Sequence, residues 1–163
     1  MSRDEEEIGA LIAEVYEVIS GPAGERDWER FRSLFAHGAR LMPARRRERG
    51  QTLEVFSPEE YAATRAPLFR QSPFFEREVA RELGIFGDIA HAWSAYAGRF
   101  SVDGPEALRG LNSFQFHRGD DGWRIVSLLW DTERPGVEWP GPLFETRRVA
   151  ASRARKAAQE KKR

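Results

Sequence analysis

The stretch from Asp88 to Thr132 constrains the fold of this chain most, because it predicts three long β-strands in succession. Two tight reversals separate these strands, at Asp103-Gly104-Pro105 and at Asp120-Asp121-Gly122, where the residue types favour turns. Along each strand both alternating sets of side chains are largely apolar or aromatic, so both faces of the sheet should be covered. The stretch therefore predicts a bent antiparallel sheet with a helix-lined pocket on one face and a partner on the other.

The residues before this stretch predict the helices that cover the sheet. From Asp4 to Ser20, apolar residues recur at helical spacing. A shorter helix should start at Asp27, and a third at Ser57-Pro58-Glu59-Glu60, where serine caps the helix and proline takes its first position. Pro67 should kink or end this third helix. Two further strands are expected, at Ala39–Pro43 and at Phe74–Phe86.

Composition excludes several classes of function. The chain has no cysteine, which rules out disulfides, thiolate nucleophiles and thiolate metal ligands. Its formal net charge of zero gives no reason to expect nucleic acid or a membrane as the main partner. The acidic start, Met1–Glu7, lacks an apolar signal segment, and no apolar run approaches the roughly 18 residues of a membrane span. We therefore expect a cytoplasmic protein.

No cofactor and no metal are expected. The histidines His37, His91 and His117 are scattered along the chain, and no close spacing of histidines or carboxylates resembles a ligand set. The chain has neither a phosphate-cradling glycine loop nor a nucleotide-binding fingerprint.

The chain divides into a domain over residues 1–134 and a terminal segment over residues 135–163. That segment begins as a proline-containing arm, and its last part, Glu145–Arg163, has eight Lys or Arg against two Glu. We interpret it as a solubilising tail, partly helical or disordered. A nucleic-acid-binding arm is the alternative.

The predicted order of elements resembles a known superfamily. Two helices, a short strand, a third helix and four long antiparallel strands follow the order of the nuclear transport factor 2-like superfamily. Residues 110–116 (GLNSFQF) and 122–129 (GWRIVSLL) look like its signature hairpin, and residues 74–99 (FFEREVARELGIFGDIAHAWSAYAGR) look most like an uncharacterised bacterial branch of its SnoaL-like members. The resemblance covers about residues 5–134.

The resemblance implies an α+β fold, a cone-shaped barrel of a highly bent antiparallel sheet wrapped on the N-terminal helices. It also implies a homodimer that forms through the outer face of the sheet. Members include SnoaL-like polyketide cyclases, ketosteroid isomerases, scytalone dehydratases, limonene epoxide hydrolases and many proteins without known activity. Fold alone therefore does not specify the reaction.

The ketosteroid isomerases offer a comparison residue by residue. Their oxyanion-binding tyrosine in the first helix falls on Tyr16, and their second oxyanion donor, a protonated aspartate, falls on Asn112. An amide can also donate a hydrogen bond to an oxyanion. Their general-base aspartate falls on Pro43, which cannot abstract a proton, so the resemblance does not extend to steroid isomerisation.

Strand alternation then predicts which side chains line the pocket. If Asn112 points inward, Phe114 and Phe116 lie beside it. The same alignment turns His91, Trp93 and Arg99 inward, and a carboxylate from the preceding strand, Glu78 with Glu76 nearby, should join them. The outer face should carry Ser94, Tyr96 and Gln115.

His91 is the expected acid–base residue, because its reference pKa lies near ~6.5 and it should be partly buried. Tyr16 and Asn112 would then orient or polarise a ligand oxygen. A histidine held by one carbonyl near a strand end is the structural alternative. Glu76 or Glu78 with Arg99 resembles the carboxylate–arginine arrangement of the epoxide hydrolases, and a cross-strand salt bridge is its alternative.

The register of the last strand is open at this stage. Either Ile125 and Leu129 or Leu128 and Trp130 should face the partner subunit. Two functions fit these features. The first is a homodimeric, cofactor-independent lyase, isomerase or hydrolase that acts on a small apolar molecule with a carbonyl or hydroxyl group. The second is a non-catalytic dimeric ligand-binding or accessory module with a basic tail.

Overall fold

The computed structural model describes residues 1–45 and 48–139 of the chain. The elements are α1 (Arg3–Ile19), α2 (Trp28–Ser33), β1 (Phe35–Pro43), α3 (Pro58–Gln71), β2 (Phe75–Phe86), β3 (Ile89–Arg99), β4 (Leu108–Gly119) and β5 (Gly122–Thr132). Strands β2 to β5 form an antiparallel meander, and β1 adds in parallel to β5, so the strand order is β1-β5-β4-β3-β2. The α+β class is confirmed, with a sheet that is mixed and open at β1 and β2.

Serine side chains cap two of the three helices. Ser2 caps α1 in a reciprocal box with Glu5, and Ser57 Oγ accepts the backbone N–H of Glu60 at 3.1 Å at the start of α3. The prediction that Pro67 could end α3 is wrong, because the helix continues to Gln71. Pro67 removes one backbone donor near the helix end, whereas continuing the helix buries Phe69, which stacks on Trp28 at 6.1 Å between ring centroids.

The inner face of the sheet packs against the helices. Ile8 and Ile12 of α1 are fully buried, as are Phe114 and Trp123 from the sheet. The start of α1 is fastened to the β4–β5 hairpin, since Asp4 accepts hydrogen bonds from Trp123 Nε1 at 3.0 Å and from Arg118 Nη1 at 2.9 Å. The hydrogen bond from Trp123 is the main cause that lowers the pKa of Asp4.

Two β-bulges change which side chains face inward. In β2, Glu78 pairs with Tyr96 but Ala80 pairs with Ala95, so Val79 is the extra residue. In β5, Phe116 pairs with Ile125 and Gln115 with Ser127, so Val126 is the extra residue. The bulge in β5 explains why neither predicted register is correct. It turns Ile125, Leu128 and Trp130 inward, and it leaves Leu129 on the outer face.

Residues 133–139 turn back onto the sheet. Arg134 and Val137 form an isolated bridge, and Trp139 Nε1 donates to the carbonyls of Tyr96 at 3.2 Å and Gly110 at 3.1 Å. The guanidinium of Arg109 lies 5.0 Å from the centroid of the Trp139 ring. The first residues of the predicted arm therefore pack against the domain. The basic segment Glu145–Arg163 lies outside the described residues, and the division of the chain at residue 134 stays a prediction.

The helices found in residues 1–45 and 48–139 are too short or too polar to cross a lipid bilayer.

Candidate functional site: a cavity between the helices and the sheet

A cavity of about 530 Å³ lies between the inner face of the sheet and the helices. Its wall includes the polar side chains of Arg65 and Tyr61 of α3, Glu76 of β2, Tyr96 of β3 and Asn112 of β4. Three further polar residues of the wall are Gln71, Ser72 and Thr132. Most of the remaining wall is aromatic or aliphatic. The aromatic wall residues are Phe31, Phe69, Phe74, Phe100 and Trp130.

Asn112 is held in the cavity wall by Tyr16. Its Nδ2 donates to Tyr16 Oη at 2.9 Å, and Tyr16 Oη lies 2.8 Å from Ser94 Oγ. Ser94 in turn donates to Glu78 Oε2. Because the Ser94 proton is used on Glu78, the Tyr16 hydroxyl donates to Ser94. The direction of every hydrogen bond in this series is therefore fixed.

The series ends in an ion pair. Glu78 accepts two hydrogen bonds from Arg81, with Nη2 at 2.6 Å and Nε at 3.1 Å. Arg81 reaches this position because the Val79 bulge puts it on the same face as Glu78. It also passes over Gly9 of α1, where a Cβ atom would lie 2.7 Å from Arg81 Nη1. We call the series Asn112–Tyr16–Ser94–Glu78–Arg81 the polar chain.

The polar chain determines which hydrogen-bonding groups of Tyr16 and Asn112 remain available to a ligand. Tyr16 is 5% exposed and is not part of the cavity wall, and burial raises the pKa of its hydroxyl. The predicted pair is thus brought together, but only Asn112 reaches the cavity. Its Oδ1 has no hydrogen-bond partner among the described residues, so this acceptor is free for a ligand.

Glu76 is the second group of chemical interest in the cavity. Its backbone is fixed by Ser20, whose Oγ accepts the Glu76 N–H at 2.9 Å and donates to the Glu76 carbonyl at 3.2 Å. Within the described residues, its carboxyl group has no hydrogen bond and no ion pair. Burial raises the pKa of Glu76 to about 8.

The two tyrosines of the cavity wall lie close enough to this carboxyl group to interact with its charge. Burial raises the pKa of Tyr61 to about 12, and it also raises the pKa of Tyr96. The guanidinium of Arg65 lies 5.5 Å from the centroid of the Tyr61 ring. Both tyrosines therefore remain neutral hydrogen-bonding groups near neutral pH.

The predicted inward placement of His91, Trp93 and Arg99 is wrong. Ser94 pairs with Asn112, so the even-numbered residues of β3 share the inner face, and His91 pairs with Gln115 on the outer face. His91 lies edge-on to Trp93 at 5.3 Å, and Arg99 stacks on Phe75 at 5.2 Å. A shift of one residue exchanges the two faces of a strand.

The same register corrects two further placements. Ser94 and Tyr96, expected on the outer face, are buried on the inner face. Phe114 and Phe116 do face inward, but they stack at 5.6 Å in the core and do not line the cavity. Glu78 faces inward as predicted, yet it belongs to the polar chain and does not line the cavity. It forms no contact with Arg99, which lies on the opposite face.

Sequence reasoning missed Ser94, Tyr61 and Tyr96 as parts of the site. Gly110 carries a signal for Tyr96, because a glycine inside a strand often marks a close approach. A Cβ atom at Gly110 would lie 2.3 Å from Tyr96 Oη and 2.4 Å from the carbonyl oxygen of Asp131. Ser94 and Tyr61 have no comparable signal. Among residues 1–45 and 48–139, no group of three or more His, Asp or Glu side chains could hold a metal.

The outer face of the sheet has features of its own. A groove of about 580 Å³ runs between the sheet and residues 133–139, with Trp93, Leu111 and Trp139 in its wall. At the other end of the face, Phe86 is 84% exposed and Ile89 is 59% exposed. This end therefore presents a surface of exposed apolar side chains.

No family model and no curated protein matches this chain. Several solved structures are similar to it. One is a nuclear transport factor 2-like protein with a cystatin-like fold from Novosphingobium aromaticivorans, with 20% identity over 79% of this chain and 81% of that chain and a TM-score of 0.64. Another, provisionally assigned as a dehydratase of the nuclear transport factor 2-like family, is from Streptomyces avermitilis, with 16% identity, 80% and 96% coverage, and a TM-score of 0.60.

A third similar structure, from Exiguobacterium sibiricum, is provisionally assigned as a calcium/calmodulin-dependent kinase II association domain. It shares 14% identity over 83% of this chain and 97% of that chain, with a TM-score of 0.60. At these identities the similarity concerns the fold. The element order, the sheet and these neighbours together show that the chain has the nuclear transport factor 2-like fold.

Proposed function

We propose that the cavity binds a small, largely apolar molecule that carries a carbonyl or hydroxyl oxygen, as in the SnoaL-like proteins that the sequence resembles. One observation carries this proposal: Asn112 lines an aromatic-walled cavity with a free amide oxygen, and its amide nitrogen is held by Tyr16. A buried amide among apolar groups is costly unless its hydrogen bonds are satisfied. A ligand hydroxyl that donates to Asn112 Oδ1, or a ligand carbonyl that accepts the second hydrogen of Nδ2, would remove that cost.

The cavity also suits such a ligand in size and chemistry. About 530 Å³ lies within the range of roughly 300–1,000 Å³ that is typical of small-molecule sites. Aromatic walls with a few fixed polar groups are the usual composition of these sites. We propose cofactor-independent lyase, isomerase or hydrolase chemistry by acid–base catalysis in the cytoplasm. Asn112 would orient the ligand oxygen, and Tyr16 would act as a positioning residue for Asn112.

Binding of a neutral aromatic ketone tests this proposal. Prodan, a naphthyl ketone, is a suitable probe because its fluorescence reports transfer into an apolar site. Leu108 lies in the cavity wall, so Leu108→Trp should fill the cavity and weaken binding at least tenfold. Gln115 lies on β4 but on the outer face, so Gln115→Leu is the matched control and should bind like the wild-type protein. Equal affinity in all three proteins would place the probe elsewhere and contradict the proposal.

A second candidate is a non-catalytic dimeric association or accessory module, with the outer face of the sheet as the interface. The exposed apolar side chains of Phe86, Ile89 and Val126 favour it, as does the similarity to association domains. Sedimentation equilibrium should then show a homodimer that Phe86→Glu converts to a monomer. A wild-type monomer at micromolar concentration would exclude this candidate.

A further inference from the structure

Glu76 differs from the other carboxylates near the cavity in having no partner. Glu78 is bonded to Ser94 and Arg81, Asp131 to Arg134, and Glu133 to Arg109. The Glu76 carboxyl group lines the same cavity as Asn112, but among the described residues it forms no ion pair and no hydrogen bond. A carboxyl group in such a site prefers its neutral form, in which it has a proton to donate.

We propose that Glu76 is the acid–base residue of the cavity, and that in its neutral form it donates a hydrogen bond to the oxygen atom of the bound ligand. This inference rests on the proposed function, because it assigns a role within the same cavity. It replaces His91, which lies on the other face of the sheet. Asn112 Oδ1 is an acceptor and the Glu76 carboxyl is a donor, so together they match a ligand hydroxyl group.

The charged and titratable groups around Glu76 are few. Tyr16 faces it from α1, Tyr61 and Arg65 from α3, and Tyr96 from β3. The three tyrosines have raised pKa values, and an arginine keeps its charge at any pH at which the protein is folded. Glu76 is therefore the one group of the described cavity wall that changes charge between about pH 6 and 9.

A dehydration shows how protons and electrons balance when Glu76 acts first as an acid and then as a base. The O–H bond of Glu76 breaks as its proton moves to the hydroxyl oxygen of the ligand, and the C–O bond breaks as water leaves with the bonding electrons. The Glu76 carboxylate then takes a proton from the adjacent carbon, whose C–H electrons form the new C=C bond. The carboxyl group regains its proton, so the step needs no oxidant, reductant or cofactor.

Prodan binding to the full chain over a pH series tests the role of Glu76. In the wild-type protein, affinity should be constant at about pH 6–7 and fall above about pH 8, as Glu76 loses the proton that it donates. Glu76→Leu removes the donor, so affinity at about pH 6.5 should fall by about threefold to tenfold, the usual range for one hydrogen bond. Emission of the bound probe should also shift to the blue, because its carbonyl loses that bond.

Three controls separate this role from a structural one. Glu76→Gln keeps a donor at the same position but cannot ionise, so it should bind prodan with an affinity that no longer depends on pH. Glu82→Gln changes a carboxylate of β2 that pairs with Trp93 on the outer face, and it should behave like the wild-type protein. Dimethylaminonaphthalene lacks the carbonyl group and should bind wild type and Glu76→Leu equally.

The possible failures are distinct. If prodan binds in the cavity but Glu76→Leu matches the wild-type protein in affinity, emission and pH profile, Glu76 has no such role and the proposed function stands. If the pH dependence persists in Glu76→Gln, another group titrates and the inference is overturned. If the wild-type protein does not bind prodan, the proposed function fails and the inference fails with it.

Discussion

Glu76 and Glu78 lie two residues apart on the same strand and face the same side of the sheet, yet their surroundings are opposite. Glu78 accepts hydrogen bonds from Ser94 and Arg81, and it ends the polar chain that holds Tyr16 and Asn112. Glu76 lines the cavity without any partner in the described structure, and its pKa is raised to about 8. The comparison teaches that one carboxylate maintains the fold, whereas the other is left available to a ligand.

The comparison is tested most strongly by replacing each carboxylate with leucine. Glu78→Leu leaves the Ser94 hydroxyl and the Arg81 guanidinium without their acceptor, so we expect a loss of about 3 kcal/mol in the free energy of unfolding. Glu76→Leu removes a partly buried carboxyl that has no partner, so stability at pH 7 should be unchanged or higher. Urea unfolding measures both variants. Equal destabilisation would show that the two carboxylates do not differ as described.

The pH dependence of stability sharpens the comparison. The pKa of Glu76 in the folded protein is raised from an ordinary value of 4.5 to about 8, so the folded protein keeps a proton that the unfolded chain has released between these pH values. Stability from this group is fully present below about pH 4.5 and is lost as the pH rises to about 8. Relative to Glu76→Gln, the wild-type protein should lose about 3–4 kcal/mol between about pH 5 and 8.

Urea unfolding at several pH values gives this difference directly. Glu78→Gln is the control. It keeps Glu76, so its free energy of unfolding should fall in parallel with that of the wild-type protein across the same pH interval. A Glu76→Gln profile parallel to that of the wild-type protein would mean that Glu76 is already ionised at neutral pH, and it would contradict the contrast between the two carboxylates.

Tyr16→Phe breaks the polar chain in its middle with a smaller effect. Asn112 Nδ2 loses its acceptor and Ser94 Oγ loses its donor, so we expect a loss of about 1–2 kcal/mol in stability. Prodan affinity should also fall, because Asn112 is no longer held in one orientation. Tyr96→Phe is the matched control for stability, since the hydrogen bond from its hydroxyl to the Asp131 carbonyl is long, at 3.3 Å.

Gly9→Ala probes the far end of the polar chain and should have the smallest effect. Alanine favours the helix by up to about 1 kcal/mol, but its Cβ atom would lie 2.7 Å from Arg81 Nη1. Because the tip of Arg81 can move, we expect the two effects to cancel within about 0.5 kcal/mol. In a Glu78→Leu background Arg81 has lost its ion pair, so Gly9→Ala should become stabilising. Urea unfolding of the single and double variants measures this.

Local sequence signals were sufficient to predict most of the elements. Apolar spacing predicted α1 within a residue at each end, and the serine before Pro58 marked the start of α3. The reversal at Asp120-Asp121-Gly122 is the β4–β5 hairpin turn, where Gly122 adopts a φ of 92°. These signals act within a few residues, so the sequence displays them directly.

The faces of the strands could not be predicted in the same way. The face of His91 depends on how many residues the connection between β3 and β4 uses. A shift of one residue would put Trp93 or Ala95 opposite Asn112 in place of Ser94, and it would turn His91 to the inner face. The bulges at Val79 and Val126 have no marker in the sequence, because valine is an ordinary strand residue. Glu76 was noted as a pocket carboxylate, but its lack of a partner depends on these registers.

The bulge at Val79 affects which amino-acid substitutions β2 can accept. It divides β2 into two halves, and the alternation of inward and outward side chains is set separately in each. One half supplies Glu76 to the cavity, and the other supplies Arg81 to α1. Deleting Ala80, the one residue between Val79 and Arg81, would move Arg81 to the opposite face but leave Glu76 in place. The half of the strand that faces the cavity can therefore acquire new side chains by substitution without disturbing the half that supports the helix. Evolution or design can thus alter ligand binding while the fold is retained.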